Sequence, residues 1–440
     1  MSGMVKAQWA PDARHVITFS DFSLHMSVWS LTTRQASMHT VRQPKAAPGC
    51  LAFSPDFRVM AVATRSDCRD IVRLYDTSTW GSLGEFTAET LDLCSLEWSP
   101  NGLALCLQDT SLEYRVLFYS PDGELLGRLE AYSNALGVKN LAWSPDGALL
   151  SIGSYDQCAR LVSTVTWKPV AVLRHVHPKT QPGGDNVACF HEVPLGQRLI
   201  EDVEVDKEND FERRSSVTSS DVFARPPSSA APSLSSFVTG AKGLKNTSRS
   251  GLRHPGSTST LKPRVSSKDM AVNYISSLQR PIPEQKPDPS KPFPRLGVGQ
   301  IMSWSSDGRY LATRNDNMPS AVWVWDVEEL SLASIMVQME AVRSAKWCPT
   351  RNMLAVCTGN HNVYLWNPEE TSWVDVPSES MEIIGLRWSP DGKALLLLSK
   401  ENICCCYLTE PGALLHGQVH PGSKKQDDDG SVARAAVDEP

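Results

Sequence analysis

Leu141-Ala-Trp-Ser-Pro-Asp-Gly147 is the stretch on which the fold turns. Leu141 and Trp143 alternate with a small residue, as in a strand with one buried face. Ser144-Pro-Asp-Gly147 then places Pro at the second position of a tight turn, where a fixed φ is wanted, and Gly at the fourth. The continuation supplies a hairpin and more. Residues 149–153 read as a second strand, Ser154-Tyr-Asp-Gln157 as a polar turn and residues 158–162 as a third strand. Residues 166–173 make a fourth, and Pro169 restricts that one to a sheet edge.

Working outward, the same string of aromatic, small residue, Pro, Asp and Gly recurs along the chain. It is led by Trp9, Phe53, Trp98, Trp143, Trp304, Trp347 and Trp388, at intervals of 44, 45, 45, 161, 43 and 41 residues. The regular spacing matches a four-stranded propeller blade of about 40 to 45 residues. A second aromatic recurs about 20 residues after five of the leaders, where the third strand ends: Trp29, Tyr75, Tyr119, Trp325 and Trp366. The sequence therefore predicts an all-β propeller of about seven degenerate four-stranded blades, with the 13 Trp filling the wedges between sheets.

The 161-residue interval exceeds the others by roughly 117 residues, so the ring is interrupted once. Residues 201–290 hold 18 Ser, many Pro and few aromatics, a composition too poor in apolar surface to offset chain entropy. A long disordered insertion is expected there. Two apolar patches, residues 187–190 and 270–275, could each add an edge strand or a degenerate blade. The expected organisation is repeats 1 to 4 over residues 1–174, the insertion over 175–295, repeats 5 to 7 over 296–412 and a disordered tail over 413–440.

Charge divides along the same line. The whole chain has 43 Lys and Arg against 49 Asp and Glu, a net charge of −6, which disfavours a simple polybasic nucleic-acid binder. Yet residues 222–268 carry eight bases and no acid, leaving −14 on the rest. Such an arm could hold acidic partners such as tubulin tails or nucleic acid by screened attraction, and phosphorylation of its serines would weaken that hold. An adaptor whose basic arm binds microtubules or nucleic acid directly is thus the alternative reading of function. No apolar run approaches the roughly 20 residues of a membrane helix, so no membrane partner is expected. The 11 Cys include no C-x-x-C pair and read as reduced packing thiols.

Enzymatic motifs are not in evidence. Gly297-Val-Gly299 lacks the third glycine of a dinucleotide loop, and Gly240-Ala-Lys-Gly-Leu-Lys245 has the wrong spacing for a phosphate loop. His175, His177, Cys189 and His191 are metal-ligand types, but their spacing matches no common zinc pattern. No catalytic residue, cofactor or metal is expected.

A unit with Ser-Pro-Asp-Gly after its first strand and Trp-Asp after its third resembles the WD40 repeat. Two departures stand out: the Gly-His pair that opens a regular unit is missing, and only Trp325-Asp326 keeps the dipeptide. The hydrogen-bonded tetrad of regular blades is therefore not expected, and packing should hold the blades instead. Longer strings narrow the likeness. Leu311-Ala-Thr-Arg-Asn-Asp-Asn-Met-Pro-Ser-Ala-Val-Trp-Val-Trp-Asp326, with Leu96-Glu-Trp-Ser-Pro-Asn-Gly102 and Gly153-Ser-Tyr-Asp156, resembles the centrosomal and spindle-pole WD-repeat family whose vertebrate member is encoded antisense to a tumour-suppressor-related transcription-factor gene. The resemblance implies a non-enzymatic scaffold in the cytoplasm and cytoskeleton, at the centrosome or spindle pole. It implies a coiled-coil partner protein and a minus-end-directed kinesin, acting to anchor microtubule minus ends and support spindle and cilium assembly. Family members carry further repeats ahead of the unit that begins here at Met4, so the chain is expected either to be shortened or to close its ring with fewer blades.

In a propeller the turns between second and third strands gather on one face. The expected partner surface is therefore Arg65, Asp67, Arg69 and Asp70, with Asp109 and Glu113, and Arg314, Asn315, Asp316 and Asn317.

Overall fold

The computed structural model describes residues 3–32, 39–45, 49–177, 187–194, 272–276, 280–288, 290, 296–376, 381–410 and 413–415. Contacts divide the chain into a unit made of residues 1–192 and 274–440 and a second unit of residues 193–273. Nearly all of the second unit, including the basic arm 222–268, lies outside the described residues, as does the tail beyond 415.

Among the described residues the first unit holds seven sheets, each built on an antiparallel four-stranded meander in sequence order, one of them extended by further strands. They are blade 1 (residues 4–42), blade 2 (51–88), blade 3 (95–129), blade 4 (138–174), blade 5 (298–337), blade 6 (344–375) and blade 7 (385–415). First strands of successive blades pack together, blade 2 on 3, 4 on 5, 5 on 6 and 6 on 7. At the junction of blades 4 and 5 the backbones nearly touch. A Cβ on Gly153 would lie 2.5 Å from the Val298 carbonyl, so only glycine lets the strands approach there.

One expected boundary is corrected. Ala413–Leu415, assigned to the tail, forms the fourth strand of blade 7 and pairs with Ile403–Glu410. Within the stretch assigned to the insertion, Ala188–Pro194 adds to the outer edge of blade 5 by pairing parallel with Ser331–Val337, and Val272–Ser276 lies beyond it. Blade 5 is six-stranded as a result. The cause is visible in the residues: Cys189 is buried in the core of blades 4 and 5, against Leu173 and Ile335.

The Ser-Pro-Asp-Gly turns have one chemistry throughout. Ser144 Oγ donates to Asp146 Oδ1 at 2.5 Å, and Asp146 Oδ1 also accepts the Ala148 amide at 3.0 Å. Ser305 with Asp307 and Ser389 with Asp391 repeat the arrangement. Gly147, Gly308 and Gly392 hold φ of 71°, 77° and 68°, the left-handed region these turns require.

Between blades, leading aromatics such as Trp98 and Trp304 sit in apolar wedges shared by two sheets, whereas Trp9 is exposed. Trp98 is buried among Ala61, Leu74 and Leu105, and Trp304 among Leu161, Leu311 and Trp323.

Candidate functional site

The turn residues expected to meet a partner fall into two groups. One spans blades 2 and 3. Residues 66–69 cap the hairpin of Val59–Ser66 and Arg69–Asp76, which is longer than the corresponding hairpin of any other blade. Asp67 and Cys68 at its tip adopt φ of 50° and 61°. Asp67, Cys68 and Arg69 are exposed, whereas Asp70 at the foot is fully buried. Asp70 accepts the Leu93 amide at 2.7 Å, Thr90 Oγ1 at 2.8 Å, Lys45 Nζ at 3.0 Å and Arg65 Nη1 at 3.0 Å. Burial alone would raise its carboxyl, but the Leu93 amide, Lys45 and Thr90 outweigh it and hold the group below the ordinary carboxylate value. Arg65 also reaches Asp92 Oδ1 and the Leu91 carbonyl, each at 3.0 Å.

Asp109 is the second post of this group and is equally buried. Its carboxylate accepts the amides of Leu91, at 3.0 Å, and of Asp92, at 2.9 Å, and pairs with Arg115 at 3.3 Å. Asp70 and Asp109 thus pin the loop of residues 89–94, which leads from blade 2 into blade 3. Glu113 stays accessible, 3.8 Å from Arg115.

The second group is on blade 5. Arg314, Asn315, Asp316 and Asn317 are all buried. Arg314 donates to Asp316 at 3.0 Å and bonds to Gln300 and the Val342 carbonyl. Asp316 pairs with Lys139 of blade 4. Asn315 and Asn317 both donate to Gln157 Oε1 of blade 4 at 3.0 Å. Placing Asp70, Asp109, Arg314, Asn315, Asp316 and Asn317 on a partner surface is therefore corrected. Each is turned inward, because a buried charge or amide is retained only where partners satisfy it, and here the partners are neighbouring blades and loops. Arg65, Asp67, Arg69 and Glu113 remain accessible. Exposed Leu91 and Leu112 stand beside them, giving an amphipathic patch on the turns of blades 2 and 3.

A further expectation is overturned in blade 5. His175 Nε2 lies 2.7 Å from Thr313 Oγ1, and Trp325 Nε1 donates to the same hydroxyl at 2.8 Å. The His175 ring meets Trp325 edge-on at 5.5 Å. This is the His, Thr and Trp portion of the bonded tetrad judged absent from the sequence. His175 is buried, and burial depresses it to about 4, the Gln157 carbonyl at 3.1 Å offsetting only part of that. His177 instead faces the Arg280 carbonyl at 3.2 Å, and Cys189 lies 3.3 Å from His191, so these metal-ligand types are spread over separate bonds. Sequence reasoning missed this His, Thr and Trp set because the insertion separates His175 from the blade it braces.

With the geometry in hand, similarity to known proteins becomes specific. Mouse WD repeat-containing protein WRAP73 is 36% identical over 408 residues, 92% of this chain and 76% of that protein. The chain belongs to the WD-repeat family of WRAP73. Within it, residues 119–163 match the family model of the WD domain, G-beta repeat, and residues 345–425 that of the anaphase-promoting complex subunit 4 WD40 domain. Protein HIR1 of Cryptococcus neoformans is 30% identical over 99 residues, 21% of this chain and 11% of that protein. A chain in a crystal structure of the mitotic checkpoint complex is similar at a TM-score of 0.43 and 12% identity, over 93% of this chain and 89% of that one. The seven meanders are thus WD-repeat blades, and the fold is a WD40-type β-propeller.

Proposed function

We propose that this WD-repeat protein is a non-enzymatic scaffold of the centrosome or spindle pole. It holds a coiled-coil partner through the accessible turns of blades 2 and 3, and so anchors microtubule minus ends and supports spindle and cilium assembly, with a minus-end-directed kinesin as a further partner. The observation that carries the reading is the extent of the likeness to WRAP73, which runs through both halves of the propeller rather than through one repeat. Geometry supports it in a second way. The long hairpin of blade 2 raises Arg65, Asp67 and Arg69 beside Leu91, Leu112 and Glu113. Mixed charge around exposed leucines suits the apolar stripe and charged flanks of a helix.

The test is a double charge reversal, Asp67→Arg with Arg69→Glu, at exposed positions that leave the Asp70 posts intact. The expected result is loss of coiled-coil partner in pull-downs with an unchanged melting temperature. Retained capture would remove these turns from the interface. A tagged protein should concentrate at spindle poles in mitotic cells, and a diffuse signal would count against the scaffold reading. Deleting residues 222–268 separates the alternative: if pole localisation then disappears, and binding in vitro is strongly salt-dependent, the basic arm is the contact.

A further inference from the structure

The turn between the second and third strands of blade 5 is bonded by two separate stretches of chain. One is the lead-in to the blade itself: the Gly297 carbonyl accepts the Asp316 amide at 2.8 Å, one residue before the first strand begins. Blades 1 and 4 are entered in the same way, Gly3 accepting the Asp21 amide at 2.9 Å and Gly137 the Tyr155 amide at 3.2 Å. The other stretch has no part in that rule. Gln285 donates its amide to the Asn317 carbonyl at 2.6 Å, and Asn317 Nδ2 donates to Glu284 Oε1 at 2.9 Å. A few residues upstream, the Arg280 carbonyl lies 3.2 Å from His177 Nε2, and Ile282 packs half-buried against the shared core of blades 4 and 5.

The sequence Arg280-Pro-Ile-Pro-Glu-Gln285 explains the conformation of this stretch. Pro281 and Pro283 lack an N–H and keep the residue before each of them out of the helical region, so the backbone stays extended and joins no sheet. Ile282 is then a single apolar anchor between two exposed prolines. An extended backbone, one anchor and a few polar bonds are the means by which a linear peptide binds a folded protein. The platform beneath is built without the stretch. Asn315 and Asn317 both donate to Gln157 Oε1 across the seam of blades 4 and 5, and the Gln157 carbonyl accepts the His175 amide at 3.4 Å. The platform also keeps unused capacity. Asn315 Oδ1 and Asn317 Oδ1, on side chains 0% and 1% exposed, accept no hydrogen bond among the described residues. Buried acceptors without donors are costly, so a ligand that brings a donor to them has an advantage over the chain's own segment.

We propose that the seam of blades 4 and 5 is a docking site for an extended segment of a partner protein, an aliphatic residue between prolines followed by an acid, and that residues 280–285 fill it in cis. The resident segment defines the chemistry of the partner. The partner's aliphatic residue takes the place of Ile282, its acid accepts from Asn317 as Glu284 does, and a further donor reaches the amide oxygens of Asn315 and Asn317. This site is separate from the turns of blades 2 and 3. The resident is tethered, so it competes at an effective concentration far above that of a free peptide, and apparent affinity falls by the fraction of time the seam is open.

Competition in trans tests this arrangement. The probe is a fluorescent nonapeptide of residues 280–288, titrated into the full chain and followed by anisotropy. In the chain, Ile282→Asp removes the resident's anchor, and Glu284→Lys, at an exposed position where folding is not at stake, removes its bond to Asn317. Either released chain should bind the nonapeptide at least about tenfold more tightly than the native chain does. Adding Asn317→Asp should abolish that gain, because a carboxylate has no N–H for the peptide's acid. A nonapeptide carrying Ile282→Asp should bind none of these chains. No gain in either released chain overturns the proposal, since a filled site must be opened before it can take a ligand. So does a gain that survives Asn317→Asp, or capture of the Ile282→Asp nonapeptide as strong as that of the native sequence, because either would place the peptide elsewhere on the molecule.

Discussion

At the scale of single residues, the buried imidazole of His175 gives this propeller a defined pH response. Its value in the folded chain is about 4, below the ordinary 6.5. Above about pH 6.5 neither folded nor unfolded chain is protonated there, so this site makes stability independent of pH. Between 6.5 and 4 the unfolded chain takes up a proton that the fold refuses, and stability falls by about 1.4 kcal/mol per pH unit. His39, also depressed by burial, titrates in the same direction, so the readout is a difference. Melting temperatures of the native chain and of His175→Gln, taken from pH 7.5 to 5, should converge as pH falls; parallel curves would show that His175 does not titrate as its burial requires. The turns offer a second measurement. Gly147 holds φ of 71°, and a Cβ there would meet Pro100 and Asn101 only at ordinary contact distances of 3.4 to 3.6 Å, so Gly147→Ala acts through backbone strain rather than collision. A loss of about 1 kcal/mol is expected in urea unfolding, with an unchanged slope.

At the scale of the element, loops between blades are held by buried carboxylates, and those posts should matter more than their turn positions suggest. Asp109→Ala leaves the Leu91 and Asp92 amides without their acceptor. The expected cost is about 2 to 3 kcal/mol in chemical denaturation, against less than about 0.5 kcal/mol for Glu113→Ala on the same turn. Equal losses would mean that the loop is held by packing and not by Asp109. This contrast also marks how far the sequence was legible. Period and turn chemistry revealed the blades, because Ser-Pro-Asp-Gly and its leading aromatic are local signals whose physics is complete within seven residues. Burial of Asp70, Asp109 and Asp316 was not legible, since each depends on amides and cations from other elements: Leu93 and Lys45 for Asp70, Leu91 for Asp109, Lys139 for Asp316. A charged residue in a turn looks the same in sequence whether it faces water or a neighbouring loop. The same holds for His175, whose partners Thr313 and Trp325 lie far along the chain.

At the scale of the whole molecule, the interruption falls between blades 4 and 5 without separating their contacts. His175, before it, bonds Thr313 after it; Lys139 pairs with Asp316; Trp304 docks on Ala142; and Cys189 joins the core of both blades. The blades are therefore stitched across the insertion by bonds that need none of its residues beyond 194 and before 272. Composition predicts that this excised span contributes no core, and loop-closure entropy then fixes the sign of removing it. Replacing residues 195–271 by about ten Gly and Ser shortens the closure roughly eightfold, three doublings at about 0.6 kcal/mol each, so stability should hold or rise by up to about 2 kcal/mol. Melting of the shortened chain at or above the native temperature, together with an undiminished difference between it and its own His175→Gln variant at pH 7.5, is the expected outcome. A melting temperature several degrees lower would show that the span supplies packing to blade 5, and that the fold is continuous through the interruption rather than stitched around it.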